Sequence, residues 1–162
     1  FNKKLNKKPD GDISVDAVTG TAMLIDREKL KKINGWDTKI FNYFEDMDLC
    51  LRFRQKGYEI VKISSAFVDH SAFSSHDIVF HKQLDYSRNW HYAWSNIYFT
   101  KKNLNKFNGL IKGFKMFIFS FTKSFFYLFF NRQKSTSHFA KSIGSLYSIL
   151  GFESSYRPKI KK

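Results

Sequence analysis

Phe41-Asn42-Tyr43-Phe44-Glu45-Asp46-Met47-Asp48-Leu49-Cys50-Leu51-Arg52-Phe53-Arg54-Gln55-Lys56-Gly57 decides how the chain is read. The first four residues are an aromatic loop, and the next twelve predict a helix. Its acids (Glu45, Asp46, Asp48) stand in the first turn and its bases (Arg52, Arg54, Lys56) in the last, which matches the helix dipole. Gly57 suits the left-handed residue that closes a helix. Two readings of the acids stand on the residues alone. Acids in a first turn are favoured by the free N–H groups there, and Asp48 and Arg52 are spaced to pair along the helix. Rings beside a carboxylate also desolvate it and make it a better base, and aromatic faces stack on sugars.

Upstream, Val15–Ile25 is an almost unbroken run of small and β-branched residues and predicts a strand buried on both faces. Gly20 in its middle allows close approach by a ligand or another strand. Asp26 predicts the cap of a short helix carrying Leu30 and Ile33, which Asn34-Gly35 ends. Downstream, 58–63 alternates as a strand, and Ala66-Phe67-Val68 leads to Asp69-His70. From about residue 77 the pattern is helical, with breaks near 103–108 and 131–137. A His at a strand end is a usual place for a ligand or catalytic group, and also a common surface residue. His76, His81, His91 and His138 lack ligand spacing and read as structural. Asp10-Gly11-Asp12 reads as a solvated turn.

Charge divides the 162 residues. Residues 1–60 hold twelve Lys/Arg and ten Asp/Glu, whereas 61–162 hold sixteen and four. No acid lies between Asp85 and Glu153, a span that also holds most of the 19 Phe. The formal net charge of +14 points to an anionic partner. A single cysteine, Cys50, excludes an intramolecular disulfide framework and a Cys-based zinc cluster, and fits a reducing compartment. Hydrophobic residues at 43% exclude wholesale disorder.

Five strings now stand in order: Val18-Thr19-Gly20-Thr21-Ala22-Met23-Leu24-Ile25; Ile33-Asn34-Gly35-Trp36-Asp37; Glu45-Asp46-Met47-Asp48-Leu49; Gly57-Tyr58; and Asp69-His70. Together they resemble the C-terminal half of the catalytic domain of family 2 glycosyltransferases, of the GT-A fold and the bacterial rhamnosyltransferase-like kind. The resemblance is close over residues 14–75 and loose over 76–102. It implies an α/β, Rossmann-like nucleotide-diphospho-sugar transferase fold for residues 1–76, followed by a mostly helical region over 77–162.

That resemblance also implies roles. Such enzymes move a sugar from a nucleoside diphosphate to an acceptor hydroxyl with inversion. By position Asp46 would be the base, with Glu45 its neighbour in the network. Thr19 and Gly20 would line the donor cleft. Trp36, Asp37, Tyr43 and Asp48 would face the acceptor, and Phe73 would pack over the site. His70 would help to hold a divalent cation, Mg2+ or Mn2+, that takes up charge on the leaving diphosphate. The nucleotide-binding half would precede residue 14 and is not in these residues. The chain is therefore expected to be a piece of a longer enzyme and inactive alone.

Residues 108–130 carry Lys112, Lys115 and Lys123 with Ser120 and Thr122 on one helical face, and Phe114, Phe117, Ile118, Phe121 and Phe125 on the other. This predicts a basic amphipathic helix in an anionic membrane surface, against a core helix of a larger protein as the other reading. The expected setting is cytoplasmic, peripheral on the inner face of the cell membrane, with a glycan or lipid-linked acceptor and a role in cell-surface polysaccharide synthesis. A nucleic-acid-binding module is the competing class. The basic half is dominated by Phe rather than Arg and holds no RNA or DNA motif, so no nucleic acid is expected as a partner. A non-catalytic membrane-surface protein is the third reading.

Overall fold

The structure is a computed structural model that describes residues 11–69 and 80–158. The described residues form two compact units, 11–36 with 46–69 and 37–45 with 80–158. The division expected at 76/77 lies outside them, and the loop 37–45 belongs with the helical region.

The first unit is built on two helices, α1 (Arg27–Lys32) and α2 (Glu45–Gln55), beside a two-stranded antiparallel ribbon. The Asp26 carboxylate caps α1 as its composition predicts, accepting from the N–H groups of Glu28 and Lys29. Asn34 and Gly35 then take left-handed backbone angles, and Gly35 N–H closes on the Leu30 carbonyl. Gly57, with φ +77°, does the same after α2 by donating to Arg54. Ile33, Leu49 and Phe53 form the core, flanked by Met23, Ile25, Leu30, Tyr58 and Ile60.

The α/β expectation is met only in part. Of the strand expected over 15–25, the structure pairs only β1 (Ile13–Ser14) with β2 (Val61–Lys62), and one further bond runs from Val15 N–H to Ile60 O. A strand needs neighbours for its N–H and C=O groups. Past Val15 these are spent elsewhere: Gly20 N–H donates to Asp46. Leu24 is fully exposed. The strand expected over 58–63 shortens to β2 for the same lack of a second partner, and 66–68 forms none.

The second unit is a bundle of α3 (His81–Asn103), α4 (Lys106–Tyr127) and α5 (Arg132–Leu150). Asn105 and Asn131 cap α4 and α5 through their side chains, so each expected break is a capped turn. Trp90, Trp94 and Ala140 pack where α3 meets α5. Gly144 lets the two backbones touch: a Cβ there would lie 2.2 Å from the Trp90 carbonyl oxygen. The inner face of α4 is Gly109, Gly113, Ser120 and Ser124, while Phe107, Phe114, Ile118, Phe121 and Phe125 face outward. Ser124 and Ser135 exchange hydroxyl-to-carbonyl hydrogen bonds of 3.0 and 2.9 Å. Small residues inside and rings outside invert the usual soluble pattern and match helix packing in an apolar medium. Ser120, read as part of the polar outer face, is buried, and Lys112 reaches Thr100 on α3. Among the described residues no helix is long and apolar enough to cross a membrane.

His91 is a joist of this bundle. It has no exposed surface, and its ring joins Ser154 Oγ and the Tyr156 carbonyl at 2.9 Å each. A neutral ring with its proton on Nε2 satisfies both, donating to Tyr156 and accepting from Ser154. Burial drives its pKa down to about 4 against the bond to Tyr156, and the Arg157 charge adds to the fall. The folded state therefore binds this proton less readily than the unfolded chain. Stability from His91 is full above about pH 6.5 and is lost as pH falls toward 4, a change of roughly 3 kcal/mol. Urea unfolding followed by tryptophan fluorescence should show a midpoint that drops between pH 7 and pH 4.5. A His91→Gln variant should lose most of that slope.

Candidate active site

The centre of the first unit is a charged clamp. Asp48 is fully buried on α2, and Arg52 one turn on donates Nε–H to its Oδ2 at 2.8 Å. Arg52 Nη1 then reaches the carbonyls of Ile33 and Gly35, at 2.8 and 2.6 Å. The guanidinium thus ties α2 to the left-handed turn that presents the exposed ring of Trp36. The pair foreseen from spacing is present, but its second half, the grip on two carbonyls, has no signal in the sequence. Asp48, expected to face the acceptor, is an interior residue of this clamp.

Asp46 stands two residues before it, half-buried, at the start of α2. Its Oδ2 accepts the Gly20 N–H at 2.9 Å and its Oδ1 accepts its following Met47 N–H at 2.8 Å. A Cβ on Gly20 would meet Asp46 at 3.7 Å, an ordinary contact. Here Gly20 therefore serves through its N–H, as a fixed donor that orients the carboxylate. Thr19 is exposed beside it and donates to Thr21 Oγ1 at 3.4 Å. The carboxylate keeps a lone pair on each oxygen for a further donor.

The loop 37–45 belongs to the second unit and is held by α3. Asp37 accepts from Tyr98 OH at 3.0 Å, from Lys102 Nζ at 2.8 Å and from Lys39 N–H at 3.0 Å. Burial opposes its ionisation, but those donors outweigh it and hold its carboxyl below the usual range. Ser95 Oγ donates to the Asn42 carbonyl at 2.8 Å. Tyr43 and Phe44 both take left-handed angles, φ 63° and 67°. Two bulky residues in that region cost about 1–3 kcal/mol each and persist only where packing over-determines them. Here Tyr92 packs on both rings and Phe99 on Phe44. Burial raises the Tyr43 hydroxyl pKa, with Arg88 opposing and Asp85 and Glu45 adding to the rise. This strained double turn leads directly into Glu45, the first residue of α2. Tyr92, Ser95, Tyr98 and Lys102 are thus positioning residues that lie 48–65 positions from the loop they hold, too far for any local pattern to flag.

His70 and Phe73 lie outside the described residues. Among the described residues no three His, Cys, Asp or Glu side chains gather as a metal-ligand group. Of the described acids, Asp48 is committed to Arg52 and Asp37 to Lys102.

A family model described as glycosyltransferase like family 2 matches residues 10–96, over half of the chain, and the chain belongs to that family. Membership supports a GT-A-like fold for this region. The chain is also similar to a rhamnosyltransferase, WbbL, of Escherichia coli (strain K12), at 29% identity over 93 residues. That match covers 57% of this chain and 34% of the relative, so the chain spans about a third of that protein's length. No solved structure matches.

The clamp predicts a stability effect apart from catalysis. Asp48→Asn leaves a buried guanidinium without its counter-charge and should cost about 3–5 kcal/mol. Chemical denaturation should show that loss. A change under about 1 kcal/mol would mean that the two carbonyls alone hold Arg52.

Proposed function

We propose that the chain is the acceptor-side part of an inverting glycosyltransferase, with Asp46 as the general base. The observation that carries this is the Asp46 carboxylate: half-buried, oriented by the Gly20 N–H, and delivered by a strained loop. In the reaction Asp46 takes the proton from an acceptor hydroxyl. The hydroxyl oxygen bonds to the sugar's anomeric carbon as the bond from that carbon to the diphosphate oxygen breaks. The nucleoside diphosphate leaves with that electron pair. One displacement gives inversion. Gly20 holds one carboxylate oxygen still, so the base does not have to be reoriented for each turnover. Trp36, exposed beside the Arg52-held turn, offers a ring face to a sugar. Glu45 stands next to the base at the start of α2.

The donor is a nucleoside-diphosphate sugar and the acceptor a glycan or lipid-linked hydroxyl. A membrane surface fits the second unit, whose outward Phe stripe on α4 runs among Lys115, Lys123 and other bases with no acid on the helix. On this reading the enzyme works on the inner face of the cell membrane, in the making of a surface polysaccharide.

In the full-length enzyme, Asp46→Asn should lower sugar-dependent release of nucleoside diphosphate about 10²–10⁴-fold. The amide keeps an acceptor for Gly20, so the thermal midpoint should stay near wild type. Unchanged release would reduce Asp46 to a helix-start acid.

A further inference from the structure

The second unit contains a cavity of about 720 Å³ that the reaction above does not use. It lies where the C-terminal end of α3, the start of α4 and the end of α5 meet the segment 151–157. Its wall carries Lys39, Lys101, Lys102, Lys106 and Arg157 against one acid, Glu153. Only Lys102 is neutralised nearby, by Asp37. Among the described residues Lys39, Lys101, Lys106 and Arg157 form no ion pair.

Two of the charges are held in place by the fold. Gly109 brings α4 against Lys101, since a Cβ there would overlap the Lys101 side chain at 2.1 Å. Lys101 Nζ donates to the Ser148 carbonyl near the end of α5. Arg157 is aimed by two carbonyls, those of Ser154 and Tyr156, at 2.8 and 2.7 Å, and lies 3.6 Å over the Phe41 ring. Burial lowers the Lys101 pKa, and the Lys106 charge lowers it further, so this arrangement costs free energy that an anion would return. Ser148 Oγ, in the same wall and buried, has no hydrogen-bond partner among the described residues. Phe152 supplies an apolar rim.

We propose that this cavity binds an organic diphosphate, its charged head among Lys39, Lys101, Lys106 and Arg157 and its organic part against Phe152. Four cations without ion pairs exceed what one phosphate needs, and lysines and a guanidinium together suit a group with many acceptor oxygens. A cavity of this size encloses a headgroup, not a duplex or an acidic helix. The site does not depend on the transferase reading and would stand if Asp46 were inert.

The test is calorimetric titration of the full-length chain with inorganic pyrophosphate, at about 0.1 M salt to screen surface charge. A parallel arm measures flotation with phosphatidylcholine vesicles, plain or doped with diacylglycerol pyrophosphate. Lys39→Gln with Lys106→Gln removes two cavity charges that make no hydrogen bond in the structure. Lys32→Gln with Lys62→Gln removes two exposed charges outside both the cavity and α4 and gives the same net charge as the cavity pair. The cavity pair should weaken binding at least about tenfold and the control pair less than about twofold. Binding of soluble pyrophosphate with that pattern identifies a soluble diphosphate as the ligand. Binding only to the doped vesicles with that pattern identifies a lipid headgroup. No binding in either arm, or equal weakening by the control pair, overturns the proposal.

Discussion

Arg52 ties α2 to the turn at 33–35 and so holds the first unit together. Its guanidinium joins a buried carboxylate one turn back on α2 to two carbonyls of the turn at 33–35. A buried charge is tolerated only when paired and hydrogen-bonded, so each partner is a condition on the others. If the turn shifts, the carbonyls leave the guanidinium. If α2 rotates, Asp48 leaves it. Ile33, Leu49 and Phe53 form the core of the same unit, so the clamp joins elements that the core also packs together. Asp46 inherits this rigidity because it is two residues from Asp48, on the same helix.

The second unit is organised by a different constraint. Its helices approach through glycine and serine, with serine hydroxyls returned to backbone carbonyls, as in Ser124–Ser135 and Ser145–Lys141. The inner face of α4 therefore offers little apolar area to bury, about 25 cal/mol per Å² being the usual return. The rings of α4 lie outside, while Trp90 and Trp94 fill the contact of α3 with α5. That arrangement makes sense where the outer face of α4 has apolar surroundings. It also leaves the cations of α3 and α4 near polar carbonyls, and so lets a cluster of bases gather at one end of the bundle.

What was legible in the sequence was local. Asp26, Asn34-Gly35, Gly57, Asn105 and Asn131 all act through neighbours within a few residues, and the elements they bound lie where they were expected. The acid-led helix and its Asp48–Arg52 pair were legible for the same reason. The run at 15–25 misled because β-branched composition reports fitness for a sheet, not the presence of partner strands. Asp37 was singled out from its motif, but its ties to Tyr98 and Lys102 join residues more than sixty positions apart. The wheel of α4 set Ser120 on one face with Lys115 and Thr122, but the structure buries Ser120 and leaves the other two exposed. Gly109, Gly113, Ser120 and Ser124 were the available signal, a stripe of small residues at helical spacing.

The account rests on a single displacement in which Asp46 receives the acceptor's proton. The most direct measurement is the anomeric configuration of the transferred sugar, read by proton NMR on product made by the full-length enzyme from a donor of known configuration. One displacement requires the opposite configuration in the product. Retention of the donor's configuration would require a second displacement or a face-retaining path, and would contradict the account.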